Sequence, residues 1–215
     1  MAVSYSGGKE SALALHRVIN QGHEPVLLIN TYNKDIGRSY SHGIGEELLE
    51  QIADSLAIPL LLVKTNSELY AKDFEDALQE AVNMGAEALV TGDIDIDGHR
   101  IWINERCKNT GIAPLLPLWG ERRENVVYEL IDRGFTATIT VINTKYLSSD
   151  FLGERLTMEV LKSIAASGAD ICGENGEYHT FVSDGPIFNC PIFFTYGEKR
   201  IDGDYAMLPL MERAQ

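Results

Sequence analysis

The sequence predicts an α/β protein, a three-layer sandwich around a parallel sheet, with a smaller α+β domain after it. Three observations support this fold class. Short apolar segments alternate with amphipathic segments through the first part of the chain, which is the pattern of strand–helix–strand units. A glycine turn joins the first strand to the first helix, and short strands and turns dominate the later part. We therefore expect one domain over residues 1–130 and a smaller one over residues 131–215.

The predicted strands are short apolar runs bounded by polar or glycine-containing turns. They cover residues 1–5, 25–31, 58–63, 88–94 and 137–143. The last run alternates with a period of two, so it is predicted to be half-buried. Residues 111–120 are also apolar, but two prolines interrupt them. We expect a buried, extended connector there rather than a helix.

The predicted helices carry apolar residues at helical spacing with polar residues between them. They cover residues 10–20, 45–56, 67–82, 99–108, 121–133 and 155–166. Gly22 and Gly134 follow the first and fifth helices, where glycine commonly ends a helix. The polar stretch from Tyr32 to His42 is predicted to be irregular.

Composition and charge narrow the class of function. The chain has 215 residues, of which 45% are hydrophobic and 23% charged, as in ordinary globular proteins. Its net charge of −14 argues against a nucleic-acid partner, because such proteins usually present a basic face. Cys107, Cys172 and Cys190 form no Cys-x-x-Cys pair, which argues against a disulfide scaffold and against a zinc or iron–sulfur site.

The sequence also indicates a cellular location. The first residues lack a basic segment followed by a long apolar core, which argues against a signal peptide. No apolar run approaches the length that spans a membrane. We therefore expect a cytoplasmic protein without a membrane partner.

The segment from Ser4 to Ser11 reads Ser-Tyr-Ser-Gly-Gly-Lys-Glu-Ser and connects the first predicted strand to the first helix. Backbone N–H groups and the positive end of a helix dipole converge at such a turn. Two glycines let an anion approach the backbone closely, and Lys9 adds a mobile positive charge. The hydroxyls of Ser6 and Ser11 add donors. The predicted ligand is a phosphate or pyrophosphate.

This segment is not a Walker A loop. Val3 stands where that loop requires its first glycine, and Glu10 stands where it requires a hydroxyl. The alternative is a glycine turn that binds no ligand. The strand–loop–helix context favours the ligand.

Two further polar stretches follow predicted strands, so they are expected at the edge where open α/β sheets bind ligands. His42 ends the first stretch and is either a nucleotide-pocket residue or a loop-surface residue. In the second, Gly92 permits close backbone approach to a ligand. Asp93 is a candidate Mg²⁺ ligand, since triphosphate chemistry needs charge neutralisation. The acids that follow it, Asp95 and Asp97, are explained as well by a polar turn.

A second cluster of polar residues and glycines begins at residue 173. Glu174, Glu177 and His179 lie with two glycines in a short loop that leads into a strand. When two carboxylates lie close together, each can raise the pKa of the other, and the pair can bind Mg²⁺ or hold ammonium or ammonia by hydrogen bonds. A hairpin turn whose acids face water is the alternative that composition leaves open.

Two motifs resemble those of a known family. Residues 6–11 closely resemble the Ser-Gly-Gly-Lys-Asp-Ser signature of the PP-loop ATP pyrophosphatases. Residues 174–180 resemble the Glu-x-Gly-Glu-Tyr/Phe-x-Thr signature of the diphthine–ammonia ligase family, a branch of those enzymes. The departures are Glu10 for the usual aspartate, Asn175, and His179 in place of an acid. Other stretches look like the family in the same order, over about residues 1–190.

The resemblance implies a PP-loop nucleotide-binding sandwich of the HUP superfamily with a smaller C-terminal substrate-binding domain. It implies an amide-forming ligase that uses ATP and Mg²⁺. A carboxylate is adenylated with release of pyrophosphate, and ammonia then displaces AMP. The acceptor that the resemblance implies is diphthine on an elongation factor, or an analogous carboxylate, for example a cobalamin-related one.

Carried over by position, the resemblance also implies roles for individual residues. Lys9, Glu174 and Glu177 would be the catalytic residues. The residues that would hold ATP come from three parts of the chain: Ser6, Gly7, Gly8, Lys9, Glu10, Ser11, His42, Gly92 and Asp93. Asp93 is also the candidate Mg²⁺ ligand.

Three other functions stay open on the sequence. A PP-loop tRNA-modifying enzyme would use a cysteine for sulfur transfer or a basic face for RNA. A nucleotide sensor would bind ATP or AMP without cleaving it. A reductase of the adenylylsulfate type would need a cysteine in its tail, and residues 209–215 contain none. A homodimer is compatible with all of these.

Overall fold

A mainly parallel sheet of six strands organises the first part of the computed structural model, which describes residues 1–40 and 42–213. Its strands are β1 (Ala2–Ser4), β2 (Leu27–Asn33), β3 (Arg38–Ser39), β4 (Leu60–Thr65), β5 (Ala88–Val90) and β6 (Ala113–Leu115). Five of them run parallel in the order β4-β2-β1-β5-β6. The short β3 pairs antiparallel with the end of β2. The order reverses direction between β1 and β5, so a switch point lies there.

Helices cover both faces of this sheet and complete three layers. These helices are α1 (Lys9–Asn20), α2 (Glu46–Leu56), α3 (Tyr70–Asn83), α4 (Asp97–Thr110) and α5 (Arg123–Asp132). A sixth helix, α6 (Met158–Ala166), lies in the later part of the chain. Successive strand residues point to opposite faces. Val3 therefore joins the core formed with α1, α2 and α5, whereas Ala2 joins the core formed with α3 and α4. The predicted fold class, α/β with a mainly parallel sheet, is confirmed.

Antiparallel strands form the later part of the chain. A four-stranded sheet has the order β10-β11-β7-β8, and a two-stranded sheet pairs β12 with β9. The strands are β7 (Thr136–Asn143), β8 (Tyr178–Asp184), β9 (Phe194–Tyr196), β10 (Arg200–Asp202), β11 (Tyr205–Met207) and β12 (Leu210–Glu212). A short 3₁₀ helix covers Ser149–Phe151. The domain boundary between residues 130 and 131 stays a prediction.

Two local predictions are wrong for physical reasons. Strand β7 is not half-buried: every residue from Ala137 to Asn143 is buried, because both faces of this central strand are covered. The connector at 111–120 is not wholly buried either. Its residues Ala113–Leu115 form the edge strand β6, in which Ala113 and Pro114 are exposed. An edge strand tolerates proline, because the missing backbone N–H can fall on the side that has no neighbouring strand.

The observed bounds of two segments differ from the predicted ones. Helix α6 begins at Met158, three residues later than expected, because the Thr157 side chain accepts a hydrogen bond from the N–H of Val160 at 3.2 Å. The stretch predicted to be irregular after residue 31 contains the end of β2 and the β3 hairpin. Among the helices that the structure describes, none is long and apolar enough to cross a membrane.

Candidate functional site

A cavity of about 590 Å³ opens at the switch point of the parallel sheet. It lies where the loops after β1 and β5 diverge, and the second sheet contributes the loop before β8. The predicted site residues that line it are Ser6, Lys9, Glu10, Ser11, His42, Gly92, Asp93 and Glu174. The structure therefore brings together residues from four separate stretches of the sequence.

The glycine turn has the geometry that a close backbone approach requires. Gly7 adopts a φ of 84°, a left-handed conformation that side chains disfavour, and a Cβ there would meet Ile44 at 2.5 Å. Gly7 and Gly8 lie behind the cavity lining and shape the loop. The Ser6 hydroxyl accepts a hydrogen bond from the Gly8 N–H at 3.3 Å, and the Ser11 hydroxyl donates to the Gly8 carbonyl at 2.9 Å. Helix α1 then begins at Lys9, with its N-terminus at the cavity.

Gly8 is required for a steric reason. A Cβ on Gly8 would lie 2.2 Å from Cε1 of the buried His42 ring. We expect Gly8→Ala to lower the free energy of unfolding by roughly 1–3 kcal/mol, because the ring or the loop must move. Gly98→Ala is the matched control, since a Cβ on Gly98 meets no atom within 4 Å. Chemical denaturation of both variants checks this, and the double variant Gly8→Ala/His42→Ala should recover part of the loss. Equal stability of the two single variants would contradict the steric account.

Lys9 is held as a buried cation. Its side chain is 4% exposed, and its Nζ lies 2.5 Å from Oε1 of Glu10. The same Nζ lies 4.7 Å from the centre of the Tyr178 ring. Burial is the largest single effect and opposes the charge, but the combined attraction of Glu10 and the neighbouring Tyr178, Cys172 and Glu174 outweighs it and raises the pKa of Lys9 above its usual range. Lys9 therefore stays protonated throughout the physiological range.

Glu10 and Glu174 form a carboxyl pair beside this cation. One ligand atom from each of them and the thiol of Cys172 all lie within 4.8 Å of one another. Burial, and then repulsion from Glu10, raise the pKa of Glu174 to about 8. Burial also raises the pKa of the Cys172 thiol above its usual range. A protonated thiol is a poor ligand for Mg²⁺, so the cluster of Glu10, Cys172 and Glu174 does not suit that ion.

Asp93 fits Mg²⁺ better than this cluster does. It follows β5, lines the cavity, and offers hard carboxylate oxygens with 20% of its side chain exposed. Mg²⁺ at phosphate sites commonly uses only one or two protein carboxylates. One Asp93 oxygen lies 3.2 Å from Nδ1 of His99, a partner that the sequence did not indicate. The neighbouring Asp95 instead pairs with Arg123 at 2.6 Å, and Asp97 pairs with Arg100 at 2.7 Å.

Glu177 is not brought into the cavity with Glu174. Its carboxylate accepts hydrogen bonds from the N–H and side-chain amide of Asn175 at 3.0 Å each, and from the N–H of Asp170 at 3.3 Å. It is 4% exposed and closes its own loop. Arg123 braces the same loop, donating to Asp170 at 2.6 Å and to Asn175 at 2.9 Å. A direct catalytic role for Glu177 stays a prediction, and its contacts favour a structural one.

Two histidines, the buried His42 and the half-buried His179, contact each other beside the glycine turn. The rings of His42 and His179 meet edge-on, with centroids 5.1 Å apart. Nδ1 of His42 lies 2.6 Å from the carbonyl oxygen of Thr180, so this nitrogen carries the proton and donates it. Burial lowers the pKa of His42 to about 4 and that of His179 to about 3. Both imidazoles are therefore neutral at neutral pH.

Several cavity residues were missed by the sequence analysis. Tyr70 and Trp102 form an aromatic wall with their ring centroids 5.7 Å apart, and Tyr178 lies under the Lys9 ammonium. Tyr178 stood inside a motif already singled out, which was a usable signal. Tyr70 and Trp102 lie at helix positions whose spacing indicates packing and gives no sign of a cavity. Arg123, which braces the loop of Glu174 without lining the cavity, lies in the helix predicted over residues 121–133, and no local signal pointed to its role.

The fold and the cavity define a class: open parallel α/β proteins with a glycine turn and a helix N-terminus at the switch point, which is the usual ligand position in such folds. Two family models then match almost the whole chain. The diphthamide synthase N-terminal domain matches residues 1–114, and the diphthamide synthase C-terminal domain matches residues 122–214. The chain belongs to the diphthamide synthase family, which confirms the resemblance found in the sequence.

Curated relatives agree with the family models. The human diphthine–ammonia ligase is 28% identical over 235 residues, covering 98% of this chain and 88% of its own. The diphthine–ammonia ligase of Danio rerio is 28% identical, covering 95% of this chain and 90% of its own. That of Schizosaccharomyces pombe is 26% identical and is matched over only 35% of its length. These relatives are ligases, and the prediction that this chain is a ligase enzyme is confirmed.

A solved structure shows a weaker likeness. The predicted subunit of tRNA methyltransferase from Methanocaldococcus jannaschii superposes with a TM-score of 0.46 at 17% sequence identity. The match covers 86% of this chain and 97% of that one.

Proposed function

We propose that this protein is an ATP-dependent ligase that converts the carboxylate of diphthine on an elongation factor into an amide, using ammonia. One observation carries the proposal. The buried Lys9 at the start of α1 and the Glu10–Glu174 pair line one cavity, which supports a site where a cation suited to phosphates and a carboxyl group suited to proton transfer act on the same ligand. The diphthine–ammonia ligases among the relatives supply the acceptor class.

In the first proposed step, an oxygen of the acceptor carboxylate attacks the α-phosphorus of ATP. The bond from that phosphorus to the β-phosphate bridging oxygen breaks, giving an acyl-adenylate and pyrophosphate. The loop of Ser6, Gly7, Gly8 and Ser11 would hold the phosphates with the hydroxyls of its serines and with N–H groups in the first turn of α1. Lys9 would stabilise the charge that develops on the departing pyrophosphate. Asp93 would hold Mg²⁺, which supplies charge neutralisation at the phosphates.

In the second proposed step, ammonia attacks the acyl carbon and AMP leaves. The attacking nitrogen must lose a proton, and an ionised Glu174 is positioned at the cavity to take it. A pKa near 8 lies close to the working pH, so Glu174 can be ionised before the transfer and can hold the proton after it. Glu10 would keep Lys9 in place, and His42 and Gly92 would line the adenosine side. Cytoplasmic location and a homodimer stay predictions.

A turnover assay tests this function. The protein is incubated with ATP, Mg²⁺, ammonium and an elongation factor that carries diphthine, and AMP, pyrophosphate and acceptor mass are measured. We expect stoichiometric AMP and pyrophosphate, with the mass change of a carboxylate becoming an amide. Formation of ADP instead of AMP would contradict cleavage between the α and β phosphates. Tight ATP binding without AMP formation for any carboxylate would favour a nucleotide sensor.

A further inference from the structure

We propose that Thr180 is a positioning residue that holds the phosphate loop in shape from the second sheet. Strand β8 runs beside the glycine turn, and three hydrogen bonds join it to the turn and to the neighbouring His42. The N–H of Lys9 donates to the Thr180 hydroxyl oxygen at 3.1 Å. The N–H of Val182 donates to the Gly7 carbonyl at 2.9 Å, and Nδ1–H of His42 donates to the Thr180 carbonyl at 2.6 Å.

Thr180 thus fixes the turn from two directions. Its hydroxyl binds the backbone of Lys9, and its carbonyl holds the His42 ring that packs against Gly8. Thr180 itself is fully buried, so water does not compete for these contacts. In the sequence, Thr180 also lies only a few residues after Glu174. Thr180 therefore connects the phosphate side of the cavity mechanically to the carboxyl side.

The bond to Thr180 also determines which N–H groups face an anion. The first N–H groups of a helix have no intrahelical acceptor and need another partner. The N–H of Ala12 donates to the Gly8 carbonyl, and that of Lys9 is taken by Thr180. The N–H groups of Glu10 and Ser11 are the ones left for a phosphate. The direction of the Lys9 side chain follows from the same fixed backbone.

Thr180→Val removes the acceptor but keeps the shape of the side chain. The buried Lys9 N–H then loses its partner, and we expect the loop to shift in response. Thr180→Ser keeps the acceptor. The matched control is Thr140→Val on the neighbouring strand β7. Thr140 is 1% exposed, and its hydroxyl has no hydrogen-bond partner among the described residues, so the change leaves nothing unpaired.

Amide hydrogen exchange on the nucleotide-free protein, resolved by NMR, tests the contact itself. In the unmodified protein the Lys9 amide should exchange more slowly than those of Glu10 and Ser11. Thr180→Val should accelerate exchange at Lys9 by about tenfold or more, whereas Thr180→Ser and Thr140→Val should leave it nearly unchanged. Equal exchange at Lys9, Glu10 and Ser11 in the unmodified protein would overturn the proposal without any variant.

Kinetics test the positioning role, and this part rests on the proposed function. Thr180→Val should lower kcat for AMP formation by about tenfold or more with KM for ATP little changed, and Thr180→Ser should restore kcat. An equal loss in Thr180→Val and Thr140→Val would show a merely structural role and overturn the proposal. If the unmodified protein forms no AMP with any acceptor, the proposed function fails, while amide exchange still decides the role of Thr180.

Discussion

Lys9→Ala is expected to lower kcat for AMP formation by roughly 10²–10³-fold, the range seen when one group that stabilises developing charge is removed. The physical reason is the position of the Lys9 ammonium at the α1 N-terminus, inside the cavity and shielded from water. There its interaction with a departing pyrophosphate is screened far less than at a surface. Rapid-quench measurement of AMP and pyrophosphate with the acceptor present checks the loss.

The control for this variant is a substitution at a lysine that is exposed to solvent instead of buried. Lys72 is 69% exposed and pairs with Asp76 one helical turn away. Lys72→Ala should leave AMP formation unchanged, because an exposed pair contributes little. Thermal unfolding of Lys9→Ala should be followed in parallel, since the change leaves Glu10 and Glu174 without their cation. Full AMP formation by a folded Lys9→Ala variant would show that the assignment is wrong.

Glu174→Gln is expected to separate the two steps of the reaction. Amide formation should fall by roughly 10²–10⁴-fold, because the amide side chain cannot take the proton from the attacking nitrogen. Formation of AMP in the first step should fall much less. With the concentration of free NH3 held constant across the pH series, the amidation rate of the unmodified enzyme should rise with pH toward about 8, as Glu174 ionises, and the variant should lack this rise. Mass analysis of the acceptor across pH 6–9 is the measurement.

The same variant should change how stability depends on pH. The folded-state pKa of Glu174 is raised to about 8, from an ordinary value of 4.5. Between these values the folded chain binds more protons than the unfolded chain, so the free energy of unfolding falls as pH rises. Glu174→Gln should flatten the decline in Tm across this window. Glu154→Gln, at an exposed position, is the control and should follow the unmodified protein. A parallel decline in all three proteins would contradict the raised pKa.

Local patterns were sufficient to predict most of the parallel sheet and the part of the site that the glycine turn and the start of α1 form. The strand, glycine turn and helix of residues 2–20 are encoded within a few neighbouring residues. Glycine permits the backbone angle at Gly7, and apolar spacing gives each strand and helix its buried face. Lys9, Glu10 and Ser11 could be placed at the cavity because the edge of an open parallel sheet is a general binding position.

The direction of a side chain within a loop could not be predicted in the same way. Glu174 and Glu177 were equivalent in the sequence, yet only Glu174 lines the cavity. Glu177 is bound by N–H groups of its own loop, and that choice depends on how the loop closes against Arg123. The burial that raises the pKa of Glu174 likewise comes from packing that no local pattern contains.

The sequence by itself determined the parallel α/β fold, the glycine turn before α1 and the family, because each depends on short motifs and on spacing along the chain. Only the tertiary structure decided which groups act together. Lys9 and Thr180 are 171 positions apart, and Arg123 and Asp170 are 47 apart, yet each pair is hydrogen-bonded. Such contacts arise when two sheets pack against one cavity. The pairing of buried polar groups is fixed there by the geometry of the whole fold.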